Sequence, residues 1–204
     1  MEIVIASRNL HKIRELRRIL KDQFPRLDIL SLLDFPAYEP PEETGKTFEE
    51  NVILKATHAA TALHLLTLAD DSGLIIPILD GAPGLFSARF AGKGASDAEN
   101  RKKLLHEMED VPDDQRTGYF ECAIALADPD GLKKVVSGTC EGTILKKERG
   151  NKGFGYDPLF VKHDYSKTFA ELEEAVKNRV SHRRKALDKI LPYIDSLLHS
   201  PHLR

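Results

Sequence analysis

A chain of 204 residues, 41% hydrophobic and 30% charged, has the make-up of an ordinary globular protein, long enough for one substantial core or for two lobes sharing a cleft. Its formal net charge of −2 excludes a protein that grips nucleic acid through bulk positive charge, so any basic residues that bind phosphate must be placed locally. Cys122 and Cys140 have no metal-ligand spacing and read as two reduced thiols. The N-terminus enters a strand-like run at Glu2 with no basic segment or cleavage site, and the longest apolar stretch, residues 59–69, is broken by Thr61, His64 and Thr67. A cytoplasmic protein with neither a membrane nor a nucleic-acid partner is expected.

In chain order, residues 2–6 read as a buried strand, followed by a polar turn (Ser7, Arg8, Asn9) and a helix whose stripe is Leu10, Ile13, Leu16 and Leu20. A second strand is expected over 27–32. Pro36, Pro40, Pro41 and Gly45 make 34–46 a loop. A helix over 47–65 carries Phe48, Val52, Ala56, Ala59 and Leu63 on its apolar face. A short strand over 67–70 ends in Asp71-Ser72-Gly73, and 74–79 is a further candidate, demoted to an edge by Pro77. Residues 80–95 are Gly-rich and loop-like. Ser96 with Glu99 forms a capping-box pattern for a helix to about Met108. Residues 117–147 read as a long antiparallel hairpin turning at Asp128-Pro129-Asp130-Gly131, with Phe120, Cys122, Ile124 and Leu126 as a core or interface stripe. The last helix, 178–198, places Val180, Leu187, Ile190, Leu191, Ile194 and Leu197 on one face. The expected fold is α/β with a mixed sheet and flanking helices, a single domain over 1–204 with two lobes.

Four constellations can carry chemistry, each with an ordinary structural alternative. The helix start after residues 2–6 exposes N–H groups to an anion, with Ser7 and Asn9 as donors and Lys12 as a mobile cation; taken alone it reads as a plain N-cap. Glu42, Glu43, Glu49, Glu50 and Asp70-Asp71 offer hard oxygen ligands of the kind Mg²⁺ takes, or are solvated acids; alternation along a strand lets only one of Asp70 and Asp71 reach a given cleft. Gly153-Phe154-Gly155-Tyr156-Asp157-Pro158 allows unusual backbone angles around an aromatic, for a flat ligand or a structural turn. In Ser181-His182-Arg183, Arg183 lies four positions before Leu187 and continues an apolar stripe, which is costly unless the cation is paired or faces a polar cavity. Lys177 lies just upstream.

These constellations, in this order, resemble the inosine triphosphate pyrophosphatase family over nearly the whole chain. Ala6-Ser7-Arg8-Asn9-Leu10-His11-Lys12 is similar to its Thr-Gly-Asn-x-x-Lys element, and Glu42-Glu43-Thr44-Gly45-x-Thr47-Phe48-x-Glu50-Asn51 to its second. Ala69-Asp70-Asp71-Ser72-Gly73, followed by Gly81-Ala82-Pro83-Gly84 and Ser87-Ala88-Arg89, resembles its third, with Gly153 to Pro158 and Ser181-His182-Arg183 matching the remaining two. The resemblance implies an elongated mixed α/β fold with two lobes around a central cleft, usually a homodimer, that hydrolyses deaminated purine nucleotides (ITP, dITP, XTP) to the monophosphate and pyrophosphate. It implies a phosphate- and substrate-binding segment of Ser7, Arg8, Asn9, Leu10, His11 and Lys12, with Mg²⁺ on Glu42 and Asp71. It also makes Asp71 the base that activates water, with Ser72 beside the substrate. Phe154, Gly155, Tyr156, Asp157, Lys177, His182 and Arg183 would hold and read the purine. Arg8 stands where the family usually has glycine, and would either add a phosphate contact or crowd the turn. Two other readings compete. Phe154 and His182-Arg183 argue against a pyrophosphatase for another base, and the charge of −2 with Glu42 and Asp71 argues against a non-catalytic nucleotide- or RNA-binding module.

Overall fold

A computed structural model describes residues 2–199. Among these residues six strands form one mixed sheet in the order β2-β1-β3-β4-β5-β6. They are β1 (Glu2–Ile5), β2 (Asp28–Ser31), β3 (Thr67–Ile75), β4 (Thr117–Asp128), β5 (Gly131–Ile144) and β6 (Phe160–Lys162). The helices are α1 (Leu10–Gln23), α2 (Phe48–Leu63), α3 (Asp97–Glu107), α4 (Glu174–Val180) and α5 (His182–Leu198). β1 pairs in parallel with β2 and with β3, where Val4 faces Thr67 and Ile5 faces Leu68. β5 pairs antiparallel with β6, Thr143 opposite Val161.

The chain divides into two compact units. The first takes the chain up to Asp71, Cys122–Gly138 and the chain from Arg183; the second takes Ser72–Glu121 and Thr139–His182. Each has its own apolar core. The first packs Ile3 and Ile5 with Leu16 and Leu20 of α1, Ile124 and Leu126 of β4, and Leu187, Ile190 and Ile194 of α5. The second packs Leu74 and Ile76 with Leu104, Met108, Phe120, Ile144, Phe160 and Phe169. The expected β4 stripe is core along its length, but Phe120 serves the second unit's core and Cys122, Ile124 and Leu126 the first's. Ala123, Ala125 and Ala127 between them are equally buried, because small side chains let the strand be covered on both faces.

Local signals hold at most helix starts. Thr47 Oγ1 accepts the Glu50 amide ahead of α2, and Ser96 and Glu99 close a reciprocal capping box on α3. Asp128 accepts the Asp130 amide in the two-residue β4–β5 turn, and Gly131 takes a φ of +124° that only glycine holds without strain.

Three expectations are corrected. β3 does not stop at Asp70 but runs through Asp71, Ser72 and Gly73 to Ile75, and a 3-10 turn at Pro77–Leu79 replaces the second candidate strand. Partners distant in sequence compensate the acidic residues inside the strand, and no local pattern reports them. Ser181 is extended, so the last helix begins at His182, and a separate helix, α4, precedes it. Leu10 heads the predicted α1 stripe yet is 54% exposed, whereas Glu15 is buried on that face.

In the second unit Arg116 is buried at 2% exposure and spends its guanidinium on backbone carbonyls. Nε donates to Ile144 O at 2.9 Å, Nη1 to Met108 O at 2.6 Å and Nη2 to Leu145 O at 3.2 Å, clamping the end of α3 to the end of β5.

Candidate active site

In the first unit the β1–α1 turn is built from its own polar side chains. Ser7 Oγ accepts the Asn9 amide at 3.1 Å, and Asn9 Oδ1 accepts the amides of His11 and Lys12 at 3.0 and 3.2 Å. Ser7 and Asn9 therefore do what residues ahead of a helix ordinarily do, and they leave the turn fixed with Lys12 on the first helical turn. Arg8, Leu10 and His11 are exposed. Arg8 does not crowd the turn: its φ lies outside the left-handed region, and Nη2 donates to Tyr38 O at 2.6 Å.

Four charges alternate behind that turn. Lys12 Nζ lies 3.2 Å from Asp70 Oδ2, Arg183 Nε and Nη2 reach the same oxygen at 3.2 and 3.1 Å, and Arg183 Nη1 bonds Glu15. Arg183 is 1% exposed and Asp70 2%. Pairing with Asp70 and Glu15 thus answers the cost of a cation on the α5 stripe. Burial opposes the Asp70 charge, but Lys12, Arg183 and Lys55 outweigh it and hold the carboxyl well below the usual carboxylate range. Among the described residues Asp70 Oδ1 has no hydrogen-bond partner.

Asp71, next along β3, has a different set of neighbours, as strand alternation requires. Its Oδ2 accepts Asn51 Nδ2 at 3.3 Å, and its Oδ1 lies 3.4 Å from Lys55 Nζ, both from α2. Lys55 also reaches Glu43 Oε1 at 3.2 Å. Burial lifts the Asp71 carboxyl above its ordinary value, and Glu43 and Asp70 add to this against Lys55 and Lys12. Lys55 holds its proton more firmly than usual despite burial, because Asp71, Glu43 and Asp70 surround it.

Of the four acids the sequence leaves open, Glu43 is the one that shares a cation with Asp71. All four are exposed, and Glu50 accepts the Lys46 amide at 2.6 Å. Among the described residues no three His, Cys, Asp or Glu side chains gather into a complete metal cage. Glu43 and Asp71 are hard oxygen donors converging on one cation, which suits a metal that takes one or two carboxylates and finds its other ligands in water and phosphate.

In the second unit both glycines of Gly153-Phe154-Gly155 adopt positive φ, +73° and +58°. A Cβ on Gly153 would run into the Asp157 carboxylate. That carboxylate accepts the Phe154 amide at 2.9 Å and Lys177 Nζ at 2.6 Å, and Lys177 also lies 4.6 Å from the centre of the Phe154 ring. Asp157 and Lys177 are 3% and 4% exposed. Tyr156 donates its hydroxyl to Ser87 O at 2.9 Å, and the half-buried Ser72 opens this unit's share of β3. His182, buried at 5%, stacks on Phe120 with ring centres 4.8 Å apart.

The residues read from the sequence thus fall into two groups: 7–12, Glu42, Asp71 and Arg183 in the first unit; Ser72, 154–157, Lys177 and His182 in the second. Sequence reasoning missed Lys55 and Glu15 and gave Asn51, the last residue of the second motif, no role, although a signal exists for each. Asn51 and Lys55 are polar residues four apart beside the α2 apolar stripe, and Glu15 precedes Ile19 by one helical turn. It also missed Asp97 and Arg101 of α3, which brace Gly155 by accepting its amide at 2.7 Å and donating to its carbonyl at 2.8 Å.

A capped helix start beside a buried aspartate paired with Lys12, with two more carboxylates bridged by a second lysine, defines an α/β protein with a helix terminus suited to an anion. A sequence model of the Ham1 family matches residues 3–193, and the chain belongs to that family. It is 57% identical over 198 residues to a dITP/XTP pyrophosphatase of Protochlamydia amoebophila, covering 97% of this chain and 99% of that one. It is 53% identical over 199 residues to a dITP/XTP pyrophosphatase of Chlamydia trachomatis serovar L2, covering 97% and 95%. Among solved structures it is similar to the Staphylococcus aureus Ham1 protein, with a TM-score of 0.85, 40% identity and coverage of 97% and 100%.

Proposed function

We propose that this chain is a nucleoside triphosphate pyrophosphatase that hydrolyses deaminated purine nucleotides (dITP, XTP and ITP) to the monophosphate and pyrophosphate. The observation that carries the reading is the double cluster on β3, where Lys12 meets Asp70 while Lys55 meets Asp71 and Glu43. It supplies cations for a triphosphate and a half-buried carboxylate for water side by side. In the reaction a water oxygen bonds to the α-phosphorus. The bond from that phosphorus to the oxygen bridging the β-phosphate breaks, and its electron pair leaves with pyrophosphate. The water proton passes to Asp71, whose carboxyl burial holds above its ordinary value, which makes it a stronger base than a solvated aspartate. Lys12 and the α1 N-terminus bind phosphate oxygens, and Lys55 and Asn51 keep the Asp71 carboxylate in one orientation.

Glu43 and Asp71 are the residues that would hold Mg²⁺, and bound there it supplies positive charge against the phosphates and the leaving pyrophosphate. Phe154 stacks on the base, with Asp157, Lys177 and His182 around its edge. A 6-oxo group accepts from Lys177 and His182, whereas the 6-amino group of adenine sets donor against donor and leaves buried groups unpaired. A homodimer and a cytoplasmic location belong to the same reading. No helix among the described residues is long and apolar enough to cross a membrane.

The test is pyrophosphate release from ITP, XTP, dITP, ATP and GTP, with and without Mg²⁺, by the wild type and by Asp71→Asn. Turnover of ITP and XTP far above ATP and GTP, abolished by chelation and by the substitution, is the expected result. No release from any of the five refutes the assignment.

A further inference from the structure

We infer that Arg8 is a positioning residue that fixes the loop bearing Glu43, one of the two candidate metal ligands, and is not a phosphate contact. The inference rests on the metal reading above for its consequence, and on contacts within the first unit for its substance. Arg8 lies one residue ahead of the α1 cap, exposed, where a phosphate contact would be placed, yet Nη2 donates to the Tyr38 carbonyl at 2.6 Å.

That carbonyl is a fixed point. Tyr38 is buried at 8%, its hydroxyl bonds His58 Nδ1 of α2 at 2.8 Å, and its ring packs at a tilt against the His58 ring with centres 5.6 Å apart. Glu39-Pro40-Pro41 follows, and two consecutive prolines stiffen the path because each ring fixes its own φ. The chain then reaches Glu42 and Glu43, with Glu43 on Lys55 at 3.2 Å, and Gly45 donates its amide to Asn51 Oδ1 at 2.9 Å. The position of Tyr38 O is therefore carried along a stiff segment to the acids. The β1–α1 turn needs no glycine here, so arginine occupies it without strain and supplies the tether.

The experiment compares wild type, Arg8→Ala and Arg8→Lys as full chains free of nucleotide. Amide hydrogen exchange is read over residues 38–46, and Mn²⁺, a paramagnetic stand-in for Mg²⁺, is titrated by electron paramagnetic resonance. A charge-assisted bond to a carbonyl is expected to slow local opening by about tenfold, so exchange over 38–46 rises by about that factor in Arg8→Ala. Mn²⁺ affinity falls several-fold in the same variant, and Arg8→Lys restores part of both. Unchanged exchange overturns the inference; if the KM for dITP then rises in Arg8→Ala, Arg8 is a phosphate contact. If the wild type itself binds no Mn²⁺, the metal reading fails separately, and the exchange result still decides the tether.

Discussion

Replacing Arg183 by methionine, which keeps most of the volume and removes the charge, should be among the most damaging single changes in the first unit. Its guanidinium faces two carboxylates, Asp70 with a side chain 0% exposed and Glu15 with one 10% exposed. Breaking a buried pair by removing one partner costs about 3–5 kcal/mol, and serving two acids places Arg183 at the upper end, about 5 kcal/mol. Lys12, still 3.2 Å from Asp70, keeps the loss from going further. Against a total stability of about 5–15 kcal/mol that is a large share.

The pH dependence gives a second handle. In the wild type the folded Asp70 carboxyl lies below its ordinary value of 3.8, so its contribution is present above that pH and lost as pH falls through the folded value. Without Arg183, burial pushes Asp70 upward, and its charge becomes a liability near neutrality that protonation removes. The gap between the two proteins should therefore be widest near pH 7.5 and narrow toward about pH 5. Urea unfolding followed by circular dichroism at both pH values measures it. A loss under about 1 kcal/mol, or a gap that widens toward acid, refutes the reasoning. Adding Asp70→Asn and Glu15→Gln to the variant should recover part of the loss, since neutral partners need no counter-charge.

Asp71→Asn should abolish pyrophosphate release by a factor of about 10²–10⁴ while leaving the melting temperature at neutral pH unchanged or higher. The folded Asp71 carboxyl lies above its unfolded value, so its ionisation costs stability once pH exceeds that range; calorimetry alongside the assay checks both. Lys55→Met leaves Glu43 and Asp71 without their shared cation. Its melting temperature in chelator should fall, and Mg²⁺ should raise it by more than it raises the wild type's. Phe154→Ala should raise the KM for dITP by about tenfold or more and change kcat less, because base–aromatic stacking is worth about 1–3 kcal/mol; steady-state kinetics separates the two. Arg116→Met should cost about 3 kcal/mol of stability with little change in KM, since its partners are carbonyls outside both site groups.

The sequence by itself determined the elements whose signals are local. The capping box at Ser96 fixed one helix start within a turn, the apolar stripe beginning at Phe48 placed another, and the Pro–Gly punctuation placed the long loop and the hairpin. The motif order was enough to mark 7–12, Asp71, 153–158 and 181–183 as the places to look. It also showed that Arg183 was anomalous, because helical periodicity is written in neighbouring residues.

Tertiary structure alone decided what each marked residue touches. The partners of Arg183 lie 168 and 113 positions away, so its role in holding Asp70 and Glu15 left no trace in any window. The same distance rule explains β3. An Asp-Asp-Ser-Gly run looks like a strand end until Lys12, Lys55 and Arg183 arrive from other elements to compensate it. Glu43 rather than Glu42 joins Asp71 because Lys55 on α2 selects between two adjacent acids by geometry. Arg8, a plain departure from the expected glycine in sequence, acquires a partner only when the loop folds back to bring Tyr38 beside it. Short-range propensity is additive along the chain, but charge compensation depends on which distant segments the fold brings within about 4 Å.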